Sequence, residues 1–399
     1  MRNVAIVGGS LAGVHAAEAL RESGFQGEIT LVSGEDMLPY DRPPLSKEAL
    51  LTGIQPSKLL LRAPEWYADN AITTRLGRQA VGLDVRRRTI RLDDDSILDY
   101  DGLVIATGSR ARRFPTVEGV RDPHVVRELR DAAALRDELA PGEHLVLVGG
   151  GFICLEIAST ARQLGLEVTV VEVAQVPLAR ALGDNVGRWF RDLHTRNGVA
   201  VECGAALEKV EGNGKGLRIH LGSGRTLDAD VVVAGIGATP ATDWLFDSGL
   251  DLANGVRCDA NLQASAPGVV AAGDVARWYN PVFDEEMRVE HWTNAVEQGR
   301  HAASTLLGNG EAFSSVPYFW TDQHDARMRF VGRAEAADEV VVETMEDNKL
   351  VALYGRDGFI RGAVCVNAPK QLAKYRRAIH DNVAWGDVSE GLPALARAV

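Results

Sequence analysis

The chain has 399 residues, 46% hydrophobic and 25% charged, with a formal net charge of −12 and four cysteines. That length accommodates two or three domains with sizeable cores, while 55 acids against 43 bases argue against nucleic acid as a partner. The lack of an apolar run of about 18 residues, and of a basic-then-apolar leader, argues against a membrane span or secretion, so a cytoplasmic enzyme is expected.

The first element is an apolar strand, Val4 to Val7, that breaks into Gly8-Gly9-Ser10-Leu11-Ala12-Gly13 and opens an alanine-rich helix through about Gly24. This is the pattern of a dinucleotide-binding turn. One small residue allows the bend, one lets the backbone approach a pyrophosphate, and one lets helix pack on strand. The helix start then offers unpaired N–H groups and its positive end to the phosphates. Ser10 occupies the second glycine position here. The next strand, Ile29 to Val32, leads to Glu35, a carboxylate placed to accept ribose hydroxyls.

A second copy follows. Leu145 to Val148 is a strand, Gly149-Gly150-Gly151-Phe152-Ile153-Cys154 the turn, and a helix runs on to about Leu164. Cys154 fills the third glycine position. The strand from Glu167 ends in Glu172, an acid that would repel a 2'-phosphate and so favours NADH over NADPH. A lone glycine turn is a weak signal, but two in register with strands, helices and acids indicate two dinucleotides. Two further apolar strands end in glycine: Leu103 to Ile105, followed by Ala106-Thr107-Gly108, and Val231 to Ala234, followed by Gly235-Ile236-Gly237. Pro115 and Pro240 stand where the chain would be redirected between domains. Val269 to Ala271 leads through Ala272 to Gly273-Asp274, where Asp274 could bind the sugar-alcohol chain of a flavin. The first domain is therefore expected to be discontinuous, 1–112 with 240–314, with 113–239 inserted and 315–399 forming a third domain. The cysteines form no CxxC and read as buried thiols, and the histidines lack metal-ligand spacing, so no metal is expected.

These segments together resemble the FAD-dependent ferredoxin reductases that serve bacterial haem-thiolate monooxygenases and Rieske-type ring-hydroxylating dioxygenases. The most specific elements are Pro39-Tyr40-Asp41-Arg42-Pro43-Pro44-Leu45-Ser46-Lys47 and Tyr318-Phe319-Trp320-Thr321-Asp322-Gln323. Glu290-His291-Trp292 and the segment from Gly149 to Glu156 add to the likeness. The resemblance implies an α/β fold with two Rossmann-like, glutathione-reductase-like domains and an α+β C-terminal domain. It implies FAD on Gly8, Ser10, Leu11, Ala12, Gly13, Glu35, Arg42, Pro44, Lys47, Ala106, Thr107, Gly108, Arg127, Gly273, Asp274, Glu290, His291, Trp292 and Trp320. NAD would be held by Gly149, Gly151, Phe152, Ile153, Glu156, Glu172, Gly235 and Gly237.

Within that resemblance Lys47 would lie near the flavin ring and pair with Glu156, Pro43 and Pro44 would wall the ring, and Trp292 and Trp320 would flank it. Lys47, Glu156 and Trp320 are the residues implied for catalysis. The partners implied are NADH and an acidic 2Fe–2S ferredoxin, which the cations Arg327, Arg329, Arg333, Lys370, Lys374, Arg376 and Arg377 could steer. The chain could work as a monomer or a homodimer. A disulfide- or oxygen-reducing relative would need a cysteine between Tyr40 and Leu51, and that stretch has none. An apoptosis-inducing-factor-like protein would carry a targeting segment and a basic surface; a rubredoxin reductase differs mainly in its acceptor.

Overall fold

The computed structural model describes residues 1–114, 122–212, 216–335 and 338–390. Two compact units emerge: Met1–Asp41, Pro56–Arg110 and Thr239–Tyr318 form the first, and Arg42–Gln55, Ala111–Ala238 and Phe319–Val399 the second. Pro115, expected to redirect the chain, lies outside the described residues.

The first unit is built on a parallel sheet in the order Val269–Ala271, Gly102–Ile105, Asn3–Val7, Glu28–Ser33, Ile72–Leu76. Strands covered on both faces read as continuous apolar runs, and Ile6, Leu31 and Val104 are all fully buried. Each such side chain contributes about 1.5–3 kcal/mol relative to exposure. Val7 pairs with both Val32 and Ile105, so three strands end level with one another and their following loops open at the same edge. The helix Leu11–Glu22 closes where expected: Ser23 caps it by donating to Ala19 O, and Gly24 turns left-handed at φ +81°, the usual stop for a helix. That helix lies against Trp292–Leu306 so closely that a Cβ on Gly299 would stand 2.3 Å from Ala12 O.

The second unit carries its own parallel sheet, ordered Val199–Cys203, Glu167–Glu172, His144–Val148, Val231–Ala234. Val146, Val171, Ile219 and Val232 share its core. An antiparallel sheet follows in the order Tyr318–Gln323, Ala326–Gly332, Phe359–Val366, Lys349–Arg356, Glu339–Glu346. The helix Ala179–Arg196 buries Leu182, Val186, Trp189, Phe190, Leu193 and His194, a stripe at helical spacing that places a histidine in an apolar position. Pro43–Ser46 forms a 3-10 helix ahead of Glu48–Thr52, with prolines where their fixed φ costs nothing. Among the described residues no helix is long and apolar enough to cross a membrane, and no group of acids, histidines and cysteines could hold a metal.

Candidate functional site

The first glycine turn has the geometry its sequence requires. Gly8 sits at φ +127°, and a Cβ there would lie 2.0 Å from Ala106 O; a Cβ on Gly13 would lie 2.0 Å from Gly8 O. Gly13 thus performs the helix-packing role of the third glycine. Ser10 takes the extended conformation at the helix start and its side chain caps nothing, so the hydroxyl of the substituted position leaves the first-turn N–H groups of Leu11, Ala12 and Gly13 to another acceptor. This cradle fits the pyrophosphate of a dinucleotide.

Around it the first unit gathers several of the expected residues. Glu35 accepts from Tyr40 Oη at 2.5 Å. Thr107 donates to Ala241 O at 2.8 Å, just before Gly108 at φ +68°. Gly273, at φ +78°, opens a short 3-10 helix and donates its N–H to Gln298 Oε1 at 2.8 Å. Asp274 next to it accepts from Ser109 Oγ at 2.8 Å. Glu290 pairs with Arg288 at 2.6 Å, and Arg288 also reaches Asp274 O at 3.0 Å. His291 begins the helix from Trp292, and burial pushes its pKa down to about 4. Trp292 Nε1 donates to Asp41 Oδ1 at 2.7 Å, which anchors the ring to the PYDRPP segment.

The second turn belongs to the second unit. Gly149 sits at φ +112°, with Gly235 O 2.4 Å from its would-be Cβ, and open space surrounds that of Gly151. Gly151 starts the helix Phe152–Gln163 without a side-chain cap, so this cradle also fits a pyrophosphate. Phe152 packs edge-on against Phe319 at 4.8 Å, whereas Ile153 is exposed. Glu172, expected to bind ribose, already takes Gly150 N–H at 2.5 Å on one oxygen and Ala174 N–H at 2.7 Å on the other. Its carboxylate therefore also locks the turn. Gly237, at φ +99°, accepts from Arg112 N–H on its carbonyl oxygen.

Cys154 resolves differently from a glycine. Its sulfur lies 3.9 Å from Val148 O and occupies the volume beside Gly235, where an added Cβ would meet Sγ at 2.2 Å. The bulk is accommodated by a glycine on the neighbouring strand. Burial, with the charge of Glu172 adding, raises the thiol pKa to about 12, so Cys154 stays a packed thiol. Gly235→Ala is expected to cost about 1–3 kcal/mol through overpacking, and most of that cost should vanish in a Cys154→Ala background; chemical denaturation of the four proteins checks it.

The most closely knit centre is Glu156, 8% exposed on the first turns of that helix. Lys47 Nζ lies 2.6 Å from its Oε2 and Ser46 Oγ donates to the same oxygen at 2.5 Å, while Thr321 Oγ1 donates to Oε1 at 2.7 Å. Ser46 O in turn accepts from Thr160 at 2.9 Å, fixing the segment that carries Lys47. A carboxylate so enclosed is held in one rotamer with a cation on one side. Pro44 lies in the same 3-10 helix, and Arg42 donates to Arg127 O. Trp320 is half-buried on the strand beside Thr321.

The residues expected around FAD are thus divided: Arg42, Pro44, Lys47, Arg127 and Trp320 fall in the second unit and the others in the first. Ser46 and Thr321 were missed as Glu156 partners. Their signal was adjacency, since each hydroxyl sits next to a singled-out residue, Lys47 or Trp320. All four cysteines are free, with Cys154, Cys258 and Cys365 buried.

Comparisons with known proteins agree with this arrangement. The model of the pyridine nucleotide-disulphide oxidoreductase family matches residues 2–299, and that of a reductase C-terminal domain matches residues 318–388. The ferredoxin–NAD(+) reductase component of the biphenyl dioxygenase system of Paraburkholderia xenovorans is 38% identical over 96% of this chain and 94% of its own length. Putidaredoxin reductase of Pseudomonas putida is 33% identical over 96% and 92%. The solved covalent putidaredoxin reductase–putidaredoxin complex superimposes with a TM-score of 0.92 at 33% identity, covering 96% of this chain and 94% of that one. Two dinucleotide cradles, a buried Lys–Glu pair and similarity along nearly the whole length lead to one conclusion: this chain belongs to the FAD-dependent ferredoxin–NAD(+) reductases of the pyridine nucleotide-disulphide oxidoreductase family.

Proposed function

We propose that the protein takes electrons from NADH and delivers them, by way of FAD, to a 2Fe–2S ferredoxin that feeds an oxygenase. The observation that carries this reading is the Lys47–Glu156 pair in a segment without cysteine. Arg42–Gln55 holds a lysine over a buried carboxylate where a disulfide-reducing relative would need a thiol, and Cys154 is a buried, protonated packing residue. With no thiol relay, the electrons leave to a protein partner. The near full-length similarity to the biphenyl dioxygenase component supports the oxygenase connection.

FAD, when bound, supplies the conversion of a two-electron hydride donor into one-electron steps. The protein's part is binding, orientation and electrostatics. The Gly8 turn, Glu35, Thr107, Asp274 and Trp292 hold FAD in this reading, together with Arg42, Pro44, Arg127 and Trp320; the Gly149 turn and Glu172 hold NADH. Lys47 supplies positive charge, and Glu156, fixed by Ser46, Thr321 and Lys47, orients the nicotinamide end of NADH. Residues 315–399 act as a third domain, a division supported by the separate family model over 318–388. The site of action proposed is the cytoplasm.

The deciding experiment is steady-state cytochrome c reduction by NADH, alone and with a panel of 2Fe–2S ferredoxins and a rubredoxin. Turnover that requires a ferredoxin supports the proposal; rapid turnover without an iron–sulfur protein, or none with any of them, refutes it, and turnover with rubredoxin alone changes the acceptor.

The cations expected to steer an acidic ferredoxin are partly neutralised. Arg329 pairs with Asp322 at 2.9 Å, Arg333 with Glu335 at 2.8 Å and Arg377 with Asp381 at 3.4 Å. Arg376 and Arg377 remain exposed on the helix Leu372–His380. Their joint charge reversal is expected to flatten the salt dependence of ferredoxin reduction and lower the association rate about tenfold at low salt; an unchanged salt dependence removes these residues from the docking face.

A further inference from the structure

A line of buried polar side chains runs on from Glu156 within the second unit. Thr321 Oγ1 is 2.7 Å from Glu156 Oε1, Gln323 Nε2 is 3.1 Å from Thr321 Oγ1, His194 Nε2 is 2.9 Å from Gln323 Oε1, and His324 Nε2 is 3.2 Å from His194 Nδ1. Thr321 and Gln323 are 1% exposed and His194 is fully buried. His324 is half-buried and helps line a cleft of about 660 Å³ with Asp322, Asp325, Arg327, Arg329 and Asn367. Apolar residues would fill these interior positions at less cost, since every buried donor left unpaired is penalised.

The direction of each bond follows from the carboxylate at the end. A carboxylate accepts and cannot donate, so the Thr321 hydroxyl proton goes to Glu156 and Thr321 has only lone pairs to offer behind it. Gln323 must then turn its NH2 group to Thr321 and its carbonyl to His194. His194 must carry its proton on Nε2, which leaves Nδ1 bare to accept from His324 Nε2–H. Burial, its first cause, holds His194 neutral with a pKa pushed down to about 4, as a single-tautomer link requires. The charged groups near the line are Lys47 at Glu156, and Asp325, Arg196 and Arg162 about His324.

We propose that Thr321, Gln323 and His194 are positioning residues for Glu156, a one-way chain of donors whose polarity the carboxylate dictates and which keeps that carboxylate in the rotamer it shares with Lys47; His324 only caps its outer end. The kinetic side of this inference rests on the role given to Glu156 under Proposed function; the tautomer side does not.

The test is ¹⁵N NMR of the histidines in the holoenzyme, paired with stopped-flow reduction by NADH. In the wild-type protein near neutral pH, His194 should be the neutral Nε2–H tautomer. Thr321→Val severs the link next to the carboxylate, and should mix the tautomers of His194 and slow reduction about tenfold; Thr321→Ser, which keeps the hydroxyl, should restore both. His324→Asn severs the far end and should leave the His194 tautomer in place and the reduction rate within about twofold. An Nδ1–H tautomer for wild-type His194, or a Thr321→Val protein with an unchanged tautomer, overturns the chain. A changed tautomer with an unchanged reduction rate overturns the role of Glu156 instead, and with it the positioning role. If Thr321→Val does not fold, Gln323→Met carries the same comparison, with the same results deciding it.

Discussion

Lys47→Met is expected to lower folding stability by about 3–5 kcal/mol and to slow NADH-dependent reduction by about two orders of magnitude. The first effect follows from burial: Lys47 and Glu156 side chains are 19% and 9% exposed and 2.6 Å apart, and removing one partner of such a pair strands the other charge away from water. Ser46 and Thr321 supply hydroxyl donors to Glu156 but no compensating charge. The second effect, equivalent to about 2.7 kcal/mol of activation free energy, follows from the proposed roles of the cation and the carboxylate. The two separate in the double variant Lys47→Met with Glu156→Leu. An apolar pair of similar volume is often as stable as the ion pair it replaces, so the double variant should recover most of the stability while its reduction rate stays low. Denaturant unfolding measures the one and stopped-flow reduction by NADH the other. A double variant that reduces at the wild-type rate would assign the pair to folding alone.

Acid should weaken the second unit well before its carboxylates are generally protonated. His194 is fully buried, and desolvation pulls its pKa from 6.5 to about 4 despite the bond to Gln323. Because the folded value lies below the unfolded one, the unfolded chain binds the proton first. The stability His194 allows is complete above about pH 6.5 and is lost progressively as pH falls toward 4. A shift of that size is worth about 3 kcal/mol. Urea unfolding between pH 8 and 4 should show this decline, and His194→Gln, which keeps a donor for Gln323, should make it shallower by about that amount, leaving the share of His291 and His324. A wild-type profile that is level across this range would mean that the histidine is reached by water and protonated in the folded protein.

The parts of the site that could be read from the chain are those whose physics is local. A strand that breaks into small residues and reopens as a helix needs no distant partner to make a cradle, and both cradles are present at Gly8 and Gly149. The acids that follow each second strand, Glu35 two residues past its end and Glu172 at its end, could be expected beside the cradles for the same reason. Lys47 and Glu156 could be linked only by resemblance to known reductases, because nothing local tells a lysine after two prolines that it will meet a helix more than a hundred residues on.

Three-dimensional packing decided the rest. Ser46 and Glu156 are 110 residues apart, Thr321 and Glu156 165, and His194 and Gln323 129. Hydroxyls and amides are common and carry no spacing of their own, so only the fold can show which of them face a buried carboxylate. Cys154 makes the same point in packing terms. By sequence it is a flaw in a glycine turn; in the structure its sulfur fills the space left open by Gly235 on the adjacent strand. The sequence by itself determined the class of cofactor and the two glycine turns shaped to receive a dinucleotide, since a backbone bend and a helix start are set by neighbouring residues. Only the tertiary structure decided how Glu156 is enclosed, because desolvation and hydrogen-bond direction depend on side chains that meet only after the chain has folded.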